Sequence, residues 1–228
     1  MNKTGDTKKA ETAVRTDKYP HSDNDWENFD VLHINRLPSA ATFMAYTTKE
    51  KAVKNDKSQS EYFQSLNGTW KFQFVPRSDQ RPMDFFEKGH DVSGWGNIKV
   101  PANWEMEGYG HPFYVGAGYG IKRNPPLIAV ENSPVGSYKR TFNVPANWKG
   151  KQIVLHFGGV ASAFYVWVNG EKVGYSQDSK TPSEFDITPY AVTGQNEIAV
   201  QVFKFSDGYY LEDQDYWRFA GIQRDVYL

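Results

Sequence analysis

The sequence predicts an all-β fold, a jelly-roll β-sandwich with long ordered loops and a flexible N-terminal arm. Three observations carry this reading. Short runs of alternating apolar residues recur from Leu66 to the C-terminus. Glycine, proline and asparagine punctuate those runs. Helical periodicity is weak throughout, and many short strands between turns pack as two sheets.

Residues 1–24 read as a polar arm. The stretch MNKTGDTKKAETAVRTDKYP has no apolar centre of the kind a secretory signal needs, and its composition suits a flexible terminus. The compartment stays open between cytoplasmic and exported with the signal removed. The best helical interval is Thr47–Phe63, where Ala52, Val53, Tyr62 and Phe63 recur loosely, and a single turn fits Met83–Lys88. Asn67-Gly68 opens the first clear strand, with Trp70, Phe72 and Phe74 alternating against Thr69, Lys71 and Gln73. Ser137–Val144 and Lys151–Phe157 follow, the latter with Ile153, Leu155 and Phe157 on one face. Phe164–Val168 leads into Asn169-Gly170 and then Val173 and Tyr175, the signature of a type I′ hairpin. Glu197–Phe205 and Gly221–Leu228 complete the set. Residues 101–135 fit no strand pattern, yet their aromatic density argues for an ordered loop on one rim of the sandwich.

Composition narrows the function. The chain has 228 residues, enough for one domain over 25–228 beside the arm. A net charge of -1 with interspersed signs offers no basic patch for nucleic acid or an anionic membrane, and no apolar run is long enough to span a bilayer. With no cysteine, thiolate metal sites and disulfides are excluded. The five histidines are scattered without ligand spacing. Asn67-Gly68-Thr69 matches a glycosylation sequon but reads as a turn entering a strand.

Taken together, LNGTWKFQF, VPANWEMEGYG, NPP followed by VEN, GVASAFYVWVNGEKVGYSQDSKTPSEFDIT and SDGYYLEDQDYWRFAGIQRDV resemble the N-terminal sugar-binding domain of glycoside hydrolase family 2 β-galactosidases. DWEN at Asp25 and INRLP at Ile34 extend the likeness to almost everything but the arm. The resemblance implies a galactose-binding-domain-like jelly roll. In such enzymes an immunoglobulin-like domain and a catalytic TIM barrel follow it. The chain is therefore expected to be a non-catalytic domain that lines the galactose pocket and buttresses the barrel. The intact enzyme would hydrolyse terminal β-D-galactosides with retention, hold Mg2+ and form a homo-oligomer. Two alternatives stay open: a stand-alone carbohydrate-binding module, and a domain of another family 2 β-glycosidase.

Candidate residues follow from both readings. On local sequence, Ser206-Asp207-Gly208 is an Asx turn after a strand. The resemblance implies instead that Asp207 contacts galactosyl hydroxyls and a sodium ion, roles an ionised carboxylate suits, with the remaining ligands from the barrel. Gly116 stands where the family carries an asparagine that bonds the sugar. Ala117 beside it offers backbone and apolar contact, and Asn124 is a possible replacement donor. Asp213 and Asp215 share one side of an extended segment, with Cα atoms about 6.5–7 Å apart. That spacing mimics a catalytic pair, yet the better reading is that Glu212, Asp213 and Asp215 anchor the loop with Arg218 or Arg224, while Trp217 packs. Of Trp104, Tyr109, Tyr114 and Tyr119, at least half are expected to pack the long loop down. Asp25 and Asn28 are weaker candidates for an outer divalent-cation site.

Overall fold

The computed structural model describes residues 20, 22–116, 118, 120–212 and 214–228. Most of the expected polar arm, together with Ala117, Tyr119 and Asp213, lies outside the described residues. The strands are β1 (His33–Ile34), β2 (Gly68–Val75), β3 (Gly96–Val100), β4 (Phe113–Val115), β5 (Val135–Val144), β6 (Val154–Phe157) and β7 (Val160–Ala161). They continue as β8 (Ala163–Val168), β9 (Glu171–Gln177), β10 (Ser183–Asp186), β11 (Gly194–Phe203), β12 (Tyr216–Arg218), β13 (Gly221–Ile222) and β14 (Val226–Tyr227).

A seven-stranded sheet of order β1-β9-β8-β11-β5-β2-β3 faces a three-stranded sheet, β10-β6-β14, with every pairing antiparallel. This is the expected sandwich. Its main core combines Trp70, Phe72, Tyr138, Leu155, Phe157, Phe164, Val166 and Val200. The predicted hairpin joins β8 to β9, with Asn169 at φ 53° and Gly170 at φ 90°.

The large sheet is covered on both faces, which explains why all six residues of β8 are buried rather than alternating. Phe164, Val166 and Val168 point to the main core, whereas Ala163, Tyr165 and Trp167 meet a second layer with Trp26, Phe85 and Phe203. Trp26 stacks on Phe203 at 4.1 Å and Phe86 on Trp167 at 4.9 Å. The buried Lys139 pins this layer: its Nζ donates to the Phe85 and Glu87 carbonyls at 2.9 Å each and pairs with Glu197 at 2.9 Å.

Three expectations change. The helical interval shrinks to one α-helix, α1 (Lys49–Lys54), and a separate 3₁₀ turn over Lys57–Gln59. Asn55 enters the left-handed region and Asp56 caps the next turn, so the two cannot merge. Met83–Lys88 forms turns, not a helix. The last strand splits: β13 pairs with β7 and β14 with β6. Gly158 and Gly159 break the partner side as well. A Cβ on Gly158 would lie 2.9 Å from Arg224 Cβ and one on Gly159 3.3 Å from Arg224 Cδ, so the two segments turn the corner in close contact.

Candidate functional site

Beyond β11 the chain crosses to a 3₁₀ turn, Asp207–Tyr210. Tyr209 N–H bonds the Ser206 carbonyl at 3.0 Å, and Ser206 Oγ meets Ser162 Oγ at 2.6 Å. The expected Asx turn is absent, because neither Asp207 carboxylate oxygen has a hydrogen-bond partner among the described residues. Asp207 is 0% exposed. Burial pushes its carboxyl up to about 6. The Gln177 side chain and the backbone N–H groups of Gly208 and Asp207 lie near enough to pull it partly down, without completing a bond to it. Tyr175 Oη donates to Gln177 Oε1 at 2.8 Å, which fixes that amide beside the turn.

The long loop and the segment after Asp207 meet in a two-stranded ribbon. Arg218 pairs with Phe113, Trp217 with Tyr114 and Tyr216 with Val115. Just past the ladder, Gly116 and Asp215 come together. A Cβ on Gly116 would lie 3.5 Å from Tyr114 Cε1 and 4.0 Å from Asp215 Oδ1. Tyr114 Oη donates to Asp215 Oδ1, and that bond raises the phenol above its ordinary pKa. Tyr114 is 54% exposed and Trp217 53% exposed, with ring centroids 5.8 Å apart at 60°. Trp217 is thus not the packing residue expected, whereas Trp104 is fully buried and Tyr109 packs on Phe72 at 4.7 Å. The ribbon presents one acid, one hydroxyl, two rings and the open backbone of Gly116 to solvent.

Glu212 anchors the segment: it accepts from Ser179 N–H at 2.8 Å and Ser179 Oγ at 2.6 Å. Arg218 donates to the Glu212 carbonyl at 2.6 Å and stacks on Tyr216 at 4.1 Å. Arg224 donates to the Lys180 carbonyl at 2.9 Å. Asn124 holds a turn, its carbonyl accepting from Leu127 N–H at 2.8 Å. Asp25 accepts from Tyr165 Oη at 2.7 Å and pairs with Lys172 at 3.6 Å. Asn67, in the sequon, bonds Asp225 and Val226 N–H at 2.9 Å each. Sequence reasoning thus singled out Asp207 and Gly116 but gave Asp215 a supporting role. The pairing of β4 with β12 across about a hundred residues, which brings Asp215 beside Gly116, leaves no trace in the local sequence.

Among the described residues no group of three or more His, Cys, Asp or Glu side chains forms a metal cluster. Asp207 nonetheless fits one ligand of a hard cation, since two buried carboxylate oxygens lack partners.

A family profile described as "Glycosyl hydrolases family 2, sugar binding domain" matches residues 63–228. A β-galactosidase of Priestia megaterium is 45% identical over 232 aligned residues, which take in 100% of this chain and 22% of that protein. A β-galactosidase of Halalkalibacterium halodurans is 45% identical over 213 residues, 91% of this chain and 21% of that protein. The chain therefore spans about a fifth of the length of these curated relatives. Among solved structures, Bacteroides uniformis β-glucuronidase 2 bound covalently to cyclophellitol-6-carboxylate aziridine aligns with TM-score 0.54 and 26% identity, over 72% of this chain and 17% of that one. The apo β-glucuronidase of Ruminococcus gnavus aligns with TM-score 0.51 and 22% identity, over 74% and 29%.

Proposed function

Because this chain belongs to the glycosyl hydrolase family 2 sugar-binding domains, we propose that it forms one wall of the glycoside pocket in a larger β-galactosidase and presents Asp215 to the sugar. The observation that carries this is the placement of an exposed carboxylate beside Gly116, on a ribbon with two half-exposed rings. An ionised carboxylate accepts charge-assisted bonds from sugar hydroxyls. Tyr114 Oη holds one of its oxygens, leaving the other to turn outward. With no side chain, Gly116 lets the substrate approach the backbone, so Asp215 takes up the bonding an asparagine there would share.

Asp207 serves a different part of the same loop cluster in this reading. A sugar cannot reach a carboxylate with no exposed surface, but a dehydrated cation can. We assign Asp207 to a hard cation, sodium or magnesium, which would supply the charge its oxygens lack. Retaining hydrolysis itself needs two carboxyl groups about 5–5.5 Å apart across the scissile bond. We assign both to the remainder of the enzyme, so the 228-residue chain alone should release no nitrophenol from a nitrophenyl β-galactoside. Turnover that co-purifies with the chain through several columns would refute that assignment.

The β-glucuronidase likeness favours a second reading, a β-uronide substrate. Grafting the chain in place of the matching fifth of the Priestia megaterium β-galactosidase separates the two. Galactoside turnover supports the first, and a switch of preference to a nitrophenyl glucuronide supports the second.

A further inference from the structure

We propose that the buried Glu105–Lys204 ion pair is a clasp that sets the direction of the β4–β12 ribbon, making both residues positioning residues for Gly116 and Asp215. The side chains are 0% and 5% exposed, and Lys204 Nζ lies 2.6 Å from Glu105 Oε1. Each partner also grips one strand of the ribbon. Lys204 Nζ donates to the His111 carbonyl at 3.0 Å, two residues before β4. Glu105 Oε2 accepts from Ala220 N–H at 3.0 Å, two residues after β12. Since Arg218 faces Phe113 in the ladder, His111 and Ala220 lie at the same end, opposite Gly116 and Asp215. Trp104 N–H adds a bond to the Ala220 carbonyl at 3.0 Å, holding the Glu105 turn against that root.

The ribbon needs such a device. It is a sheet of two strands among the described residues and is not laddered to either main sheet; the backbone bonds from Ala102 and Trp104 to Ile222 and Ala220 hold the chain just past β12, on the β12 side of the ribbon. A buried ion pair adds little net stability over apolar residues of equal volume. It does impose direction, because each charged head carries bonds to fixed backbone positions. β12 has additional holds through Arg218 and Glu212. The clasp also reaches the β4 side, through the His111 carbonyl.

The positioning role rests on the reading of Asp215 and Gly116 as the sugar contact; the clasp itself does not. Amide hydrogen exchange on the 228-residue chain tests it. Lys204→Met should speed exchange at 113–115 and 216–218 by about 100-fold, from the cost of leaving Glu105 buried without its partner, with β5, β8 and β11 unchanged. Because the single variant risks unfolding, Glu105→Leu/Lys204→Met is the second arm. It should regain near wild-type stability while the ribbon stays fast. Unchanged ribbon exchange, or ribbon and sandwich failing together in the double variant, would overturn the clasp. In the graft described above, the double variant should raise KM for the galactoside. A faster ribbon with KM unchanged, where Asp215→Ala does raise KM, would overturn the positioning role. An Asp215→Ala graft that behaves as the parent would instead sink the reading it rests on.

Discussion

Asp207→Asn removes a carboxyl group that is fully buried, without hydrogen-bond partners among the described residues, and pushed from 3.8 up to about 6 by burial. A raised acid binds its proton more tightly folded than unfolded. Its contribution to stability is therefore full below 3.8, declines as pH rises to about 6, and stays lost above. At 1.36 kcal/mol per pKa unit, the loss is about 3 kcal/mol. Asparagine keeps the volume and never ionises, so the variant lacks this decline. The expected result is equal stability near pH 3.5, where a neutral carboxyl and an amide are buried alike, with the variant ahead by about 3 kcal/mol at pH 7.5. Urea unfolding of both proteins across that range measures it, and the difference cancels every other titrating group. In the graft described above, where the remaining ligands are present, sodium or magnesium at pH 7.5 should raise the midpoint more with Asp207 than with Asp207→Asn. A variant that is less stable than wild type at pH 7.5, or a gap that does not change with pH, would refute the reasoning.

Asp215→Ala should return Tyr114 toward the ordinary tyrosine pKa, since the bond to Asp215 is what raises it. Ultraviolet difference titration against a Tyr114→Phe control reads this directly. Gly170→Ala should cost about 1 kcal/mol in chemical denaturation, because φ is 90° there while the nearest atom to a new Cβ, Lys88 N, is an unstrained 3.5 Å away. Gly136→Ala should cost about 3 kcal/mol, with the new Cβ only 2.5 Å from Trp104 Cζ3 and 2.7 Å from Phe72 Cε2. A loss in Gly136→Ala no larger than in Gly170→Ala would show that the core yields more easily than its packing indicates.

The sandwich was legible because its strands announce themselves locally. Alternation in β2 and the Asn169-Gly170 turn encode pairing between neighbours in sequence, and both stand in the structure. Alternation failed at β8, where Tyr165 and Trp167 are buried under the segment carrying Trp26 and Phe85; a sheet covered twice has no polar face to mark it. The site was half legible. Gly116 and Asp207 stood out by motif, but whether a carboxylate faces solvent or the interior depends on partners far away in the chain. The role proposed for Asp215 depends on Tyr114 across the ribbon, and Glu105 and Lys204 find each other across ninety-nine positions. Neither pairing leaves a periodic trace.

The graft of this chain onto the remaining four-fifths of the Priestia megaterium β-galactosidase tests the central claim most directly, through kcat and KM for a nitrophenyl β-galactoside in three forms. The graft with the native sequence should turn over the substrate. Asp215→Ala should raise KM by about 10–100-fold, the loss of one or two charge-assisted bonds to a hydroxyl. Asp207→Asn should leave KM within a few-fold at saturating sodium and magnesium and change chiefly the dependence on those ions. A large rise in KM from Asp207→Asn, with Asp215→Ala silent, would contradict the account and return the sugar contact to the buried acid.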